Sequence, residues 1–173
     1  PLYSSAASDV YKRQVLKDKA ELFRAANLTI VTPSRWLAAC ASESSLFKDL
    51  PVSVIPNSVE TDVFAPLEKA RARAALDLPS DTVVLLFGAT DTREKLKGFS
   101  ALQEALQVCL ERTQFRRLVD DGDIVLLCFG HGSEELRPGR IPTAPLGYVT
   151  SEETMRSAYA AACLLYTSPS PRD

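Results

Sequence analysis

VVLLFGATDTREKLKGFSALQEAL, running from Val83 to Leu106, is the stretch from which the architecture can be read. It opens on five apolar residues, Val83 to Phe87, and reaches Gly88. An unbroken apolar run ending in glycine predicts a buried parallel strand, because only a strand covered on both faces can be apolar at every position. A polar loop follows. Then Phe99, Leu102, Leu106, Cys109 and Leu110 recur at helical spacing. Strand, glycine, polar loop and helix make the first half of a βαβ unit. In open α/β sheets, ligands sit at the loops beyond the strands' carboxyl ends. Gly88 would let a ligand approach the backbone, and the helix start would offer free N–H groups to an anion. Lys97 is expected in the first helical turn, where the helix dipole disfavours a cation. Two readings follow: Lys97 has a phosphate as its partner, or REKLK is a solvated, charged loop.

The two ends of the chain differ in character from its middle. One back-translation of Asp9-Val-Tyr-Lys-Arg-Gln14 is GATGTGTATAAGAGACAG. Its reverse complement, read one base out of frame, yields Cys163-Leu-Leu-Tyr-Thr and the start of Ser168. Both ends resemble a transposase-type sequencing adapter translated as protein. We therefore expect Pro1 to Gln14 and Cys163 to Asp173 to be non-native scars that do not pack in the core, and we exclude them from functional reasoning. The chain begins at Pro1 and its single Met is Met155, so a piece of a longer reading frame is expected between the adapters.

The net charge is −2; Asp9, Lys12, Arg13, Arg172 and Asp173 give the ends +1, leaving −3 between them. A mildly acidic chain without a basic stripe argues against general nucleic-acid binding. Cys40, Cys109 and Cys128 sit among apolar or small residues without metal-ligand spacing, and read as core thiols in a reducing compartment. No apolar run is long enough to span a membrane.

Along the chain, Val15 to Ala25 reads as a helix and Leu28 to Val31 as a strand. Ser34 is a good N-cap for a helix from Arg35 to Ser44, with Trp36, Leu37 and Cys40 on its buried face. Val52 to Ile55 is a strand, and Pro56, Asn57 and Pro66 mark a linker. A helix is expected over Leu67 to Leu76 and strands over Ile124 to Phe129 and Ala144 to Leu146. Ser151 caps a last helix to Ala162. Strands alternating with helices imply an α/β fold with a doubly wound parallel sheet. Gly88, Gly130 and Gly147 should then open on one edge.

With this order of elements, VTPSRWL, PVSVIPNSVETDVFAP, VVLLFGA…KGFSALQEAL and LGYVTSEETMRSAYAAA together resemble a family 4 retaining glycosyltransferase of the two-domain, Rossmann-like GT-B fold. The resemblance implies the end of an acceptor-side domain and the interdomain linker over residues 15–64. It implies the first half of a donor-binding domain over residues 65–162, with residues 1–14 and 163–173 adapter-derived. The implied activity is transfer of a sugar from a nucleotide-sugar donor to a polysaccharide or glycolipid acceptor, with retention. Lys97 matches the family's KG lysine, and with Gly88 it would hold the donor diphosphate. The family's arginine, directly after the strand's glycine, is replaced by Ala89; Arg93 would take its role. Asn57 and Ser34 would lie on the interdomain cleft, although Ser34 also suits a plain cap and Asn57 a turn. No cofactor and no metal are implied, and no catalytic residue can be assigned: the paired-glutamate motif belongs beyond Ala162. A cytoplasmic location is implied, at the inner face of the membrane if segments outside this chain dock there. Full-length protein would be the active species, and this fragment inactive.

Other chemistries have weaker support. Asp121-Gly122-Asp123 spells a D-x-D metal motif but precedes its strand, as a solvated turn does. His131, the only histidine, follows the second strand without an acidic partner nearby. Glu152 and Glu153 suit a helix start. A sugar-nucleotide 2-epimerase shares the fold but needs carboxylates and histidines not seen here. A non-catalytic flavodoxin-like binding module is the third reading.

Overall fold

The computed structural model describes residues 5–167, with side chains from residue 13 onward. The chain forms two compact units, Pro1–Val59 and Glu60–Asp173.

The first unit contains α1 (Ser5–Ala25), β1 (Ile30–Thr32), α2 (Arg35–Glu43) and β2 (Val52–Val54). β1 and β2 pair in parallel, with Ile30 opposite Val52. α2 starts where Ser34 leaves the helical region, at φ −145°, and its hydroxyl accepts the Leu37 N–H at 3.2 Å. Phe23 of α1 stacks on Phe47, with centroids 5.9 Å apart. Two three-residue strands offer little surface to cover, so this unit buries little. The expected burial on α2 fails for that reason: Trp36 is 47% exposed and Cys40 is exposed, and Ala41 is the buried apolar residue of the helix.

The second unit contains α3 (Lys69–Ala74), β3 (Val83–Asp91), α4 (Phe99–Cys109), α5 (Thr113–Asp120), β4 (Ile124–His131), β5 (Thr143–Pro145), α6 (Glu152–Ala161) and β6 (Leu164–Leu165). One parallel sheet in the order β5-β4-β3-β6 runs through it. Alternate residues of the central strands point to opposite faces, and both faces are covered. Leu85, Phe87, Leu126 and Cys128 pack with Leu102, Leu106 and Val119 of α4 and α5. Val84, Leu86, Leu127 and Phe129 pack with Ala158 of α6 and with Leu76 and Leu78. Burial on both faces is the reason those strands are apolar throughout. The fold is the expected α/β, Rossmann-like, doubly wound parallel sheet.

Several boundaries differ from those expected. β3 does not stop at Gly88 but continues to Asp91, paired with β4 through a register shift between Gly88 and Asp91. α5 was not anticipated. Its Phe115, Leu118 and Val119 form a narrow apolar stripe after a one-turn break, too short to stand out from its charged neighbours.

The C-terminal segment corrects a second expectation. Residues 1–4 and 168–173 lie outside the described residues, and Arg13 and Gln14 at the start of the described side chains are exposed. Cys163 to Thr167, however, does pack. Cys163 N–H donates to Val84 O at 2.8 Å and Tyr166 N–H to Leu86 O at 2.9 Å. The Tyr166 ring lies 6.1 Å from Phe87, and its hydroxyl donates to Gly98 O at 3.0 Å. Strand addition is made by main-chain groups, so the open edge of β3 accepts any β-compatible run, and Leu-Leu-Tyr is one. Leu164 and Leu165 themselves stay 62% and 45% exposed.

Candidate functional site

All four strands of the second unit are parallel, so their carboxyl ends share one edge. The strand order reverses between β3 and β6, which is where α/β sheets open a crevice. Two cavities lie along this edge, on either side of the loop from Thr92 to Gly98.

The first cavity, of about 320 Å³, is at the reversal, and Gly88, Leu96, Lys97, Phe129, Tyr159 and Tyr166 contribute to its walls. Lys97 is exposed and ends a 3₁₀ turn, Lys95–Lys97, closed by Lys97 N–H donating to Glu94 O at 3.0 Å. It therefore precedes α4, and the expectation that it lies in the helix's first turn is not met. Gly98, at φ 75°, turns the chain into α4, whose N-terminus has no side-chain cap. The geometry thus puts a cation on one side of the cavity and a row of aromatic edges on the other, while the first residues of α4, Phe99 and Ser100, line the second cavity. The Phe129 and Tyr159 rings meet edge-on at 6.1 Å.

Gly88 lines this cavity for a different reason from the one expected. A Cβ there would stand 2.0 Å from Phe129 Cζ. The glycine makes room for the Phe129 ring across the strand pair, so the ring stands where a ligand was expected to meet the backbone.

Arg93 is not with Lys97. It lines the second cavity, of about 420 Å³, together with Thr92, Glu94, Lys95, Phe99 and Glu135. Its guanidinium is held by Asp91 at two of its three nitrogens, Nε to Oδ1 at 2.9 Å and Nη2 to Oδ2 at 2.8 Å, and its backbone N–H donates to Asp91 Oδ1 at 3.0 Å. These bonds from Arg93 hold the Asp91 carboxyl down to about 2, and Asp91 raises the Arg93 guanidinium in turn. The planar fork that would clasp a diphosphate is already filled. The structure brings Gly88 and Lys97 together and leaves Arg93 out, because an i, i+2 pair at the end of an extended strand outcompetes the reach across the loop.

Ser34 acts as the α2 cap and Asn57 is exposed in the segment joining the units. His131 is exposed and stacks on Tyr148, with centroids 4.2 Å apart and planes 9° from parallel. Asp121 and Asp123 are exposed in the turn before β4, at the sheet end away from both cavities. Among the described residues, no group of three or more His, Cys, Asp or Glu could hold a metal ion, and no helix is long and apolar enough to cross a membrane. Sequence reasoning missed Phe129, Tyr159 and Tyr166 as cavity walls. Phe129 read only as a strand residue. The clue for Tyr159 was an aromatic among alanines in AYAAA, one turn before a strand.

No family model matches the sequence, and no curated protein matches it. Among solved structures, the chain is similar to a sucrose-phosphate synthase from Thermosynechococcus elongatus, with a TM-score of 0.59 and 18% identity. The match covers 88% of this chain and 37% of that one, so the chain spans little over a third of the enzyme's length. The likeness establishes the fold: this chain has the Rossmann-like, parallel-sheet arrangement of part of a GT-B protein.

Proposed function

We propose that the chain is part of a nucleotide-sugar-dependent glycosyltransferase of the retaining family 4 type, acting on a polysaccharide or lipid-linked acceptor. In this reading residues 15–64 end the acceptor-side domain and residues 65–162 begin the donor-side domain. Residues 1–14 and 163–173 are adapter-derived. The observation that carries the proposal is Lys97 beside Gly88, in a cavity at the carboxyl ends of the parallel strands β3 and β4. A cation stabilises charge that grows on a leaving diphosphate, and no metal is needed for that. The likeness to a GT-B enzyme supports it at the level of the fold. A cytoplasmic site of action, reached at the membrane face through other segments, belongs to the same proposal. With Arg93 committed to Asp91, Lys97 acts as the principal charge, and the fragment transfers no sugar because half of each cleft wall is missing.

The test is calorimetric titration of this chain with uridine, guanosine and adenosine diphosphates and their glucose conjugates. One nucleotide should bind, and Lys97→Ala should weaken it about tenfold, the scale of one charged hydrogen bond. In a full-length enzyme the same change should cost on the order of a hundredfold in turnover. Unchanged affinity in Lys97→Ala would return the loop to being a solvated turn.

A further inference from the structure

The second cavity has the wrong charge for a phosphate and the right surface for a sugar. Its charged walls are Arg93 and Lys95 against Glu94 and Glu135, and Arg93 is already neutralised by Asp91. What remains is one lysine and the start of α4, at Phe99 and Ser100, against two carboxylates, a balance that leaves an anion no net attraction. The Thr92 hydroxyl is committed to His131 O at 2.9 Å. Glu94, Glu135, Lys95 and Ser100 are exposed and offer both acceptors and donors. Phe99 and Leu136 supply an apolar wall, and the Phe99 ring is braced by Phe87 at a centroid distance of 5.3 Å. Gly132, at φ 78°, keeps the mouth clear: a Cβ there would come within 3.2 Å of Thr92 Oγ1 and 3.3 Å of Arg93 Cγ.

Vicinal hydroxyls each donate and accept, and a pyranose ring presents an apolar C–H face. Carboxylates, an ammonium and an aromatic wall match those features, and the volume lies within the ~300–1,000 Å³ of small-ligand sites. We infer that the cavity between the Thr92–Ser100 loop and the Gly132–Leu136 turn binds an uncharged saccharide. Lys95 faces this cavity and Lys97 the other, from the two sides of one 3₁₀ turn. The site therefore lies next to the proposed donor site without sharing its cation. It deepens the proposed function, on which it rests for its role as a second sugar site on the donor-side domain; its binding chemistry stands apart from nucleotide binding.

The experiment is an amide-resolved NMR titration of this chain with methyl glycosides of glucose, galactose, mannose and N-acetylglucosamine, then with glucose 6-phosphate and inorganic phosphate. At least one uncharged glycoside should bind in the millimolar range, as expected for a small polyol, shifting the amides of Thr92, Arg93, Ser100, Gly132 and Glu135. Glu135→Ala and Glu94→Ala, both at exposed side chains, should each weaken it about tenfold. Lys97→Ala should leave it unchanged. Glucose 6-phosphate should bind more weakly than the methyl glucoside. No shift with any glycoside, tighter binding of the phosphates, or full affinity in both glutamate variants would overturn the inference. Nucleotide binding without glycoside shifts would overturn this site alone; glycoside shifts without nucleotide binding would overturn the donor site alone.

Discussion

Replacing Gly88 by alanine should destabilise the second unit by driving Phe129 out of its place. The added Cβ would stand 2.0 Å from Cζ and 2.3 and 2.4 Å from the Cε atoms of Phe129. Ordinary carbon contacts need ~3.5–4 Å, so the ring must retreat by about 1.5 Å. Phe129 is 8% exposed and packs with Val84, Leu86, Leu127 and Ala158, so that space is not free. Overpacking of this kind costs ~1–3 kcal/mol, and relief of the glycine's chain entropy returns ~0.5–1 kcal/mol. The net expectation is a loss of about 1 kcal/mol, the difference between the middles of the two ranges. Urea denaturation followed by far-UV circular dichroism would measure it; fluorescence would not, because the single tryptophan, Trp36, is in the other unit. Phe129→Leu in the Gly88→Ala background should recover stability relative to its effect alone, giving a coupling in a double-mutant cycle. Full stability in Gly88→Ala, or additive effects in the cycle, would refute the reasoning. Because Phe129 also forms a wall of the cavity with Lys97 and Tyr159, displacement of the ring should lower nucleotide affinity as well.

Three other outcomes are expected. The Asp91 carboxyl should titrate near 2 by NMR, and near its ordinary 3.8 in Arg93→Ala. Because the folded value is the lower one, the clamp's contribution is complete above about pH 4 and is lost as pH falls through about 2. Burial raises the Cys128 thiol to about 11, so a disulfide reagent at pH 8 should label the exposed Cys40 and Cys163 and spare Cys128 until the chain unfolds. The unfolded thiol ionises from about 9 and the folded one from about 11, so stability should drop as pH rises across that window. Arg156→Ala removes the bonds that hold Ala65 O at 2.7 Å and Pro66 O at 3.1 Å, and should cost about 1 kcal/mol and speed proteolysis near Phe64.

The parts of the fold legible in the sequence were those set by burial on both faces. Val83 to Phe87 and Ile124 to Phe129 could only be central parallel strands, and their pairing in parallel follows from the helix between them. Serine caps at Ser34 and Ser151 were legible because capping is local; Ser151 accepts the Thr154 N–H at 3.3 Å. Side-chain destinations were not. Whether Arg93 turns toward Lys97 or back to Asp91 depends on where a strand ends, and β3 outran Gly88 by three residues because β4 stayed beside it. The burial of Cys40 failed because sequence shows a helix's apolar face but not how much sheet there is to cover it.

The edge where Leu164–Leu165 joins β3 has one more consequence. That strand is held by backbone groups and one tyrosine, so its sequence carries little information about the fold. The central strands β3 and β4, by contrast, are specified by apolar residues buried on both faces. A boundary of this kind is a permissive seam. Recombination there can join a different downstream half to an intact β3–α4–β4 core, exchanging the far wall of the cavity while Lys97 and its turn stay where they are.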